Sequence, residues 1–375
     1  MKTPIGKEVA MSLIIGVDEA GYGPNLGPLV IAASAWRVAA DRRPGGPEVE
    51  GSLPEFLLCD RFVPIGERGD GADAAAGPWI ADSKIVYRRG GMGMLERTVL
   101  AAMCVSRANV GRDLLTEPDG LGRQADAGAN HDASALPPLP CTADELCRAM
   151  AGPYAAGWHA EQANKASPLT LPRAATPAEI DRAAAAWRSA SDRLPLELLG
   201  LVARPIFPAE FNRLLDQRQR KSDLLSQASL DLVFRVIDRL HDFSGPSESL
   251  AVYCDKHGGR NRYSAQLNEA SGGGLFSAIE ESRDLSRYRG RCGRLPVEWK
   301  FLSRAERFVP VALASMTAKY LRELAMEAFN RYWTGRVAAL RPTAGYPVDA
   351  RRFSAETEAA RRAEATPISE FWRNK

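Results

Sequence analysis

Long apolar runs, paired cysteines and a strong charge of either sign are all missing from this chain of 375 residues. A membrane-spanning helix needs about 20 consecutive apolar residues, and no stretch offers them. The start of the chain does not read as a signal peptide either. The expectation is a cytoplasmic protein with no membrane partner. Six cysteines (59, 104, 141, 147, 254, 292) form no C-x-x-C pair, and no histidine stands at zinc-ligand spacing from them. That excludes a zinc ribbon and predicts free thiols. Lys and Arg number 49 against 46 Asp and Glu, a net charge of +3. Binding of a polyanion therefore has to come from local patches. Apolar content, by contrast, is ample: 45% hydrophobic residues suffice for a packed core in one large or two ordinary domains.

The most informative stretch is Ile14-Ile15-Gly16-Val17-Asp18-Glu19-Ala20-Gly21-Tyr22-Gly23-Pro24. A run of β-formers carries two adjacent acids and is broken by Gly21, Gly23 and Pro24. After Gly27-Pro28 a second apolar run, Leu29 to Ala33, follows, so the stretch reads as strand, loop, strand. Carboxylates on an apolar strand are costly unless something neutralises them. Because successive side chains alternate faces, one of the two acids has to sit at the strand's end. A hard divalent cation is the natural partner for such oxygens; a tight hairpin with two solvated acids is the alternative.

That string closely resembles the opening motif of the type 2 ribonucleases H, in which Gly-φ-Asp-Glu-Ala-Gly-Arg-Gly-Pro precedes a Gly-Pro and an apolar strand. Gly16, Asp18, Glu19, Ala20, Gly21, Gly23, Pro24, Gly27 and Pro28 match, and Tyr22 stands where the family has Arg. Further along, Asp82-Ser83-Lys84 precedes a helix expected over 92–105, with Asp82 or Ser83 as a cap and Lys84 facing a phosphate. A buried strand then ends in Cys254-Asp255, followed by a turn rich in cations (Lys256, His257, Arg260, Arg262, Tyr263). The segment Ala314-Ser315 … Ala318-Lys319 … Arg322 matches the family's late helix, with Glu323 for its final Asp; Gly345-Tyr346-Pro347 and Pro367-Ile368 match its C-terminal segments.

The resemblance implies an α/β, ribonuclease H-like fold: a mixed five-stranded sheet flanked by helices, over 12–375. Insertions interrupt it at about 39–78 and 106–200, and 1–11 is an N-terminal extension. Within the second insertion, helices are predicted over Thr142–Met150 and Pro177–Leu194, the latter with a solvated charged face. A return strand is predicted at 201–206 and a long amphipathic helix at 222–241. Residues 286–307 form a basic ribbon with strand alternation, either a phosphate track or a charge-protected sheet edge.

By the same resemblance, Asp18, Glu19 and Asp255 are catalytic metal ligands, and the fourth acid lies just before the late helix. Alignment on Pro310 places Glu306 there; alignment on Ala314-Ser315 places Ala305, which cannot hold a metal, so Glu306 is chosen. The implied cofactor is Mg²⁺ or Mn²⁺, the partner an RNA–DNA hybrid, and the state monomeric. Gly21, Tyr22, Gly23, Ser83, Lys84, Lys256, Arg260, Ser315, Lys319 and Tyr346 are the implied substrate contacts, Tyr346 stacking on the sugar beside the cut. The implied activity is two-metal hydrolysis of the RNA strand of hybrids. The loss of the Arg at Tyr22 argues against efficient cutting at a single ribonucleotide embedded in DNA. A ribonuclease H-like nucleic-acid-binding protein that cuts poorly or not at all is the second reading, and a metal nuclease on the same fold, for instance one cutting DNA junctions, the third.

Overall fold

The computed structural model describes residues 13–38, 57–59, 79–110, 140–156, 168–191, 196–218, 220–241 and 248–374, without the side chains of 107–110, 190, 191 and 241. In chain order the elements are β1 (Leu13–Ala20), β2 (Leu29–Val38), α1 (Ser83–Val110), α2 (Ala143–Ala151), α3 (Pro177–Ser191), β3 (Leu196–Ile206), α4 (Pro208–Arg218), α5 (Lys221–His241), β4 (Leu250–Asp255) and α6 (Ser264–Ala270). They continue as β5 (Ser277–Glu281), β6 (Leu285–Cys292), β7 (Leu295–Leu302), α7 (Val309–Thr334), α8 (Pro347–Glu356), α9 (Glu358–Ala363) and α10 (Ile368–Phe371). A single 3-10 turn, Ala305–Arg307, lies between β7 and α7.

The strands make one mixed sheet in the order β3-β2-β1-β4-β7-β6-β5. The expectation of five strands is corrected to seven. The basic ribbon folds into β6 and β7, and a further edge strand, β5, pairs with β6. Ser277–Glu281 is exposed at every position, so it carries no apolar alternation from which a strand is read. β1 runs parallel to β4, and β4 parallel to β7, whereas β2 is antiparallel to β1. The carboxyl ends of β1, β4 and β7 therefore meet at one edge of the sheet centre, where open α/β sheets place their sites.

β1 is buried on both faces. Leu13, Ile15 and Val17 face a core shared with α5 (Leu224, Leu225, Val233, Ile237). Ile14 belongs to the opposite core, with α1 and α7. Gly16 is the contact point with α7: a Cβ there would lie 2.1 Å from the Pro310 carbonyl carbon, so only glycine allows the approach. Ser34 on β2 donates to Pro310 O at 2.7 Å and accepts from Trp36 Nε1 at 2.7 Å, which fixes the start of α7 on the sheet.

Part of the expected second insertion packs into this core. Thr142 and Glu145 close a capping box on α2, and Leu146, Cys147 and Met150 are buried. α3 is solvated on one side only, since Ile180, Ala183, Ala184 and Trp187 are buried and Trp187 stacks on Trp36. Glu96 on α1 holds the approach to α3. It accepts from the backbone N–H groups of Arg173, Ala174 and Ala175 at 2.6–2.8 Å and from the Tyr320 hydroxyl at 2.8 Å. The expected first insertion is described only at 57–59, where Leu58 bridges Phe308; its remainder and the 1–11 extension lie outside the described residues. All six cysteines are free, and among the described residues no helix is long and apolar enough to cross a membrane.

Candidate active site

Four carboxylates from three parallel strand ends share one electrostatic environment. Asp18 and Glu19 close β1, Asp255 closes β4, and Glu306 sits on the turn after β7. Burial raises the Asp18 pKa well above the usual range, and Glu19 and then Glu306 raise it further. Glu19 is pushed from 4.5 to about 7, first by burial, then by Asp255, with Glu306 adding to it. Asp255 and Glu306 are also raised, each chiefly by burial, and Asp255 adds to the shift of Glu306. The buried Cys254 thiol registers the same field. Burial raises it most, and Glu19, Asp255 and Asp18 follow.

Three features hold these acids in place. Ser315 on α7 hydrogen-bonds the Asp18 carboxylate, and its hydroxyl shares a 3.0 Å hydrogen bond with Ser83 at the start of α1. The Ala305 N–H donates to Asp255 Oδ1 at 3.0 Å, the Arg304 backbone N–H also reaches this carboxylate, and Lys256 N donates to Leu302 O at 3.0 Å, tying the end of β4 to β7. Cys59 Sγ lies 3.5 Å from Glu306 O, so residues 57–59 brace the turn. Lys84 is the cation of the cluster: it pulls down the pKa values of Glu19, Asp255 and Glu306. Asp82 places it by capping α1, accepting from Lys84 N at 2.8 Å and Ile85 N at 3.3 Å.

Among the described residues, no three Asp, Glu, His or Cys side chains are already set at the separation that would ligate one metal ion. The chemistry of these donors would nonetheless suit a hard divalent cation. The set offers carboxylate oxygens only, desolvated together, with one lysine against four acids.

The glycine loop after β1 rests on two buried arginines. Gly21 has φ +87°, and a Cβ there would lie 2.6 Å from Arg322 Nε and from Pro28 O. Arg322 donates to Ala344 O at 2.9 Å. Arg373, fully buried, donates to Gly21 O at 2.7 Å and also to Pro24 O. Burial, then Arg322, pushes the Arg373 pKa down. No local pattern in the sequence signals Arg373; its role exists only because the last residues run back beneath the loop, tied by Arg373 N to Asn25 O at 2.8 Å and Asn25 Nδ2 to Arg373 O at 3.0 Å. Tyr346 is 57% exposed, and its ring edge lies 3.9 Å from where a Gly23 Cβ would stand.

Other residues named from the sequence are committed within the protein. Lys256 Nζ donates to Asn261 Oδ1 (2.8 Å), Ser282 O (2.7 Å) and Ser286 Oγ (2.9 Å). Arg260 is ion-paired with Asp223. Lys319 pairs with Glu323 at 3.0 Å and lies over the Tyr87 ring. His257 and Tyr263, read from the sequence as part of a phosphate-binding turn, are buried supports. His257 bonds Ser226 Oγ at 3.0 Å and Cys254 Sγ at 3.3 Å, and its N–H donates to the Tyr263 hydroxyl at 3.0 Å. Tyr22 is half-buried and feels Glu19, Asp223 and Arg260.

No protein-family model matches the chain, and no curated protein matches it. Among solved structures it is similar to the ribonuclease HII of the PCNA:RNase HII complex from Archaeoglobus fulgidus, with 14% identity, 97% of this chain and 94% of that one covered, and a TM-score of 0.36. It is also similar to ribonuclease H2 from Pyrococcus horikoshii OT3, with 13% identity, 96% and 92% covered, and a TM-score of 0.35. A third similar structure is Bst-RNase HIII in complex with Mn²⁺, with 14% identity, 98% and 67% covered, and a TM-score of 0.36. At these identities and TM-scores the likeness leaves function to be read from the site itself. Over nearly its whole length the chain is similar to ribonucleases of the HII and HIII type.

Proposed function

We propose that this protein is a divalent-metal-dependent endonuclease that hydrolyses the RNA strand of RNA–DNA hybrids, with Asp18, Glu19, Asp255 and Glu306 as its acidic centre. One observation carries the reading: four carboxylates gather at the ends of three parallel strands, all raised by burial, with Asp18, Glu19 and Glu306 raised further by their acidic neighbours. Buried like charges are sustained only by protons or by a cation. Mg²⁺ or Mn²⁺ held there supplies activation of water and stabilisation of the charge that develops on the phosphorus oxygens.

The chain's own residues do the rest. Ser315 orients one Asp18 oxygen, and the Arg304 and Ala305 N–H groups orient Asp255. Glu19, pushed up to about 7 by burial and Asp255 while no cation is bound, would be ionised by a bound divalent cation and serve as one of its ligands. Lys84 stands among the acids as the cation that meets a phosphate oxygen. The loop from Gly21 to Gly23 presents backbone groups to a 2′-hydroxyl, the feature that separates RNA from DNA, and the exposed Tyr346 ring beside it suits a sugar face. Tyr22 brings no bidentate cation to that loop, so a lone ribonucleotide in DNA is a poor substrate.

Cleavage of three labelled duplexes tests this: an RNA–DNA hybrid, a DNA duplex with one embedded ribonucleotide, and all-DNA. Each is incubated with Mg²⁺, Mn²⁺ or EDTA, with wild type beside Asp18→Asn. Metal-dependent cutting of the hybrid, lost in the variant, is the expected result. Binding without cutting under every condition would instead establish a nucleic-acid-binding protein, and cutting of all-DNA would replace the hybrid as substrate.

A further inference from the structure

Beside the acidic centre, the turn before β6 and the turn after β7 enclose a cavity of about 600 Å³ lined by Arg283, Asp284, Ser303, Arg304 and Arg307. Its lining thus holds three arginines and one aspartate. Its arginines differ from their neighbours on the same sheet. Arg287 and Arg289 both pair with Glu298, and Arg262 pairs with Glu281. Among the described residues no carboxylate lies within ion-pair distance of Arg283, Arg304 or Arg307, and all three are exposed.

The walls are held firmly. Ser303 N donates to Asp284 O at 3.0 Å, tying one turn to the other. Ser282 Oγ donates to Leu285 O at 2.8 Å and accepts from Leu285 N at 3.1 Å, which fixes the turn bearing Arg283. Arg304 adopts the left-handed conformation, φ 61° and ψ 47°, a state that disfavours a side chain with a Cβ. Its backbone N–H thereby reaches Asp255 while the same residue lines the cavity. One residue thus joins the cavity to the acidic centre.

We propose that this cavity binds a backbone phosphodiester of the nucleic acid near the one that is cut, and so sets the register of the duplex on the acidic centre. Unpaired arginines on a braced frame suit phosphate oxygens, which a guanidinium grips through two parallel N–H bonds. A protein or small-molecule phosphate would meet the same groups. The site's position next to the carboxylates favours a polyanion that extends across both. The proposal rests on the nuclease reading for its substrate but is tested apart from it.

The test is binding of a fluorescent RNA–DNA duplex in EDTA, as a function of salt, by the full chain and by Arg283→Gln/Arg307→Gln. Arg304 is left intact because its backbone supports Asp255. Wild type should lose affinity with salt more steeply than the variant, by about 0.9 in log–log slope for one phosphate released. A set of duplexes each carrying one neutral methylphosphonate should contain a position that weakens wild-type binding and leaves the variant unaffected. Equal slopes, losses that simply add at every position, or no duplex binding by wild type would each overturn the proposal. An unchanged thermal midpoint of the variant shows that it folds. If cutting persists while the slopes are equal, the cavity assignment fails and the nuclease stands. If the slope falls but no duplex is ever cut, the nuclease fails and the cavity stands.

Discussion

Glu19 makes the metal-free protein less stable as the pH rises to neutrality. Its pKa rises from 4.5 to about 7 on folding, because burial and Asp255 oppose its charge. Between those two values the folded state holds a proton that the unfolded state has lost. The stability contributed by Glu19 is therefore greatest below about pH 4.5, falls as pH rises toward 7, and levels off above it. At about 1.4 kcal/mol per unit, this raise of roughly 2.5 units costs about 3 kcal/mol by pH 8. For 375 residues, at about 2.1 cal/mol/K per residue, that corresponds to a fall in midpoint of about 4 °C. Thermal melts in EDTA from pH 5 to 8, of wild type and Glu19→Gln, measure it. Glu19→Gln carries no titrating group, so the two midpoints should diverge with rising pH, the variant becoming the more stable. Adding Mg²⁺ should flatten the wild-type curve, since a cation favours the ionised carboxylate. Wild-type and variant curves that stay parallel in EDTA across the whole range would refute the reasoning.

Gly16→Ala would put a Cβ 2.1 Å from the Pro310 carbonyl carbon. α7 has to retreat from β1, at a cost of about 3 kcal/mol, read as a lower chemical-denaturation midpoint. Arg373→Leu leaves the carbonyls of Gly21 and Pro24 without their donor. Each buried unpaired carbonyl costs about 1–3 kcal/mol, so the loop should loosen and KM for the hybrid rise more than kcat falls. Glu96→Gln replaces a carboxylate that accepts four hydrogen bonds by an amide with a single acceptor oxygen. Faster proteolytic nicking around 172–176, with little change in hybrid cleavage, is the expected outcome.

The parts of the fold that sequence reveals are those whose order depends on local pattern. β1, β2, β4 and α5 carry apolar periodicities that match their burial, and the acids Asp18, Glu19 and Asp255 stand at strand ends marked by Gly or by a change to polar residues. Glu306 rather than Ala305 is the residue with its charge toward the cluster, while Ala305 is buried and lends only its N–H. What escapes local pattern is pairing at a distance. Lys256 and Arg260 look like free cations until Asn261, Ser286 and Asp223 are placed opposite them. α3 looks like a solvated helix until Trp187 meets Trp36, about 150 residues earlier in the chain. Arg373 is legible to no window of sequence, since its partners lie at the other end of the chain.

That last contact sets a timetable for synthesis. The guanidinium under Gly21 comes from a residue 352 positions later. A ribosome adding about 5–20 residues per second delivers Gly21 some 20–70 s before Arg373. The first strand and its acids thus emerge early, but the loop beside them gains its strut only when residue 373 has left the exit tunnel. Until then the nascent chain carries the Gly21 loop without that support.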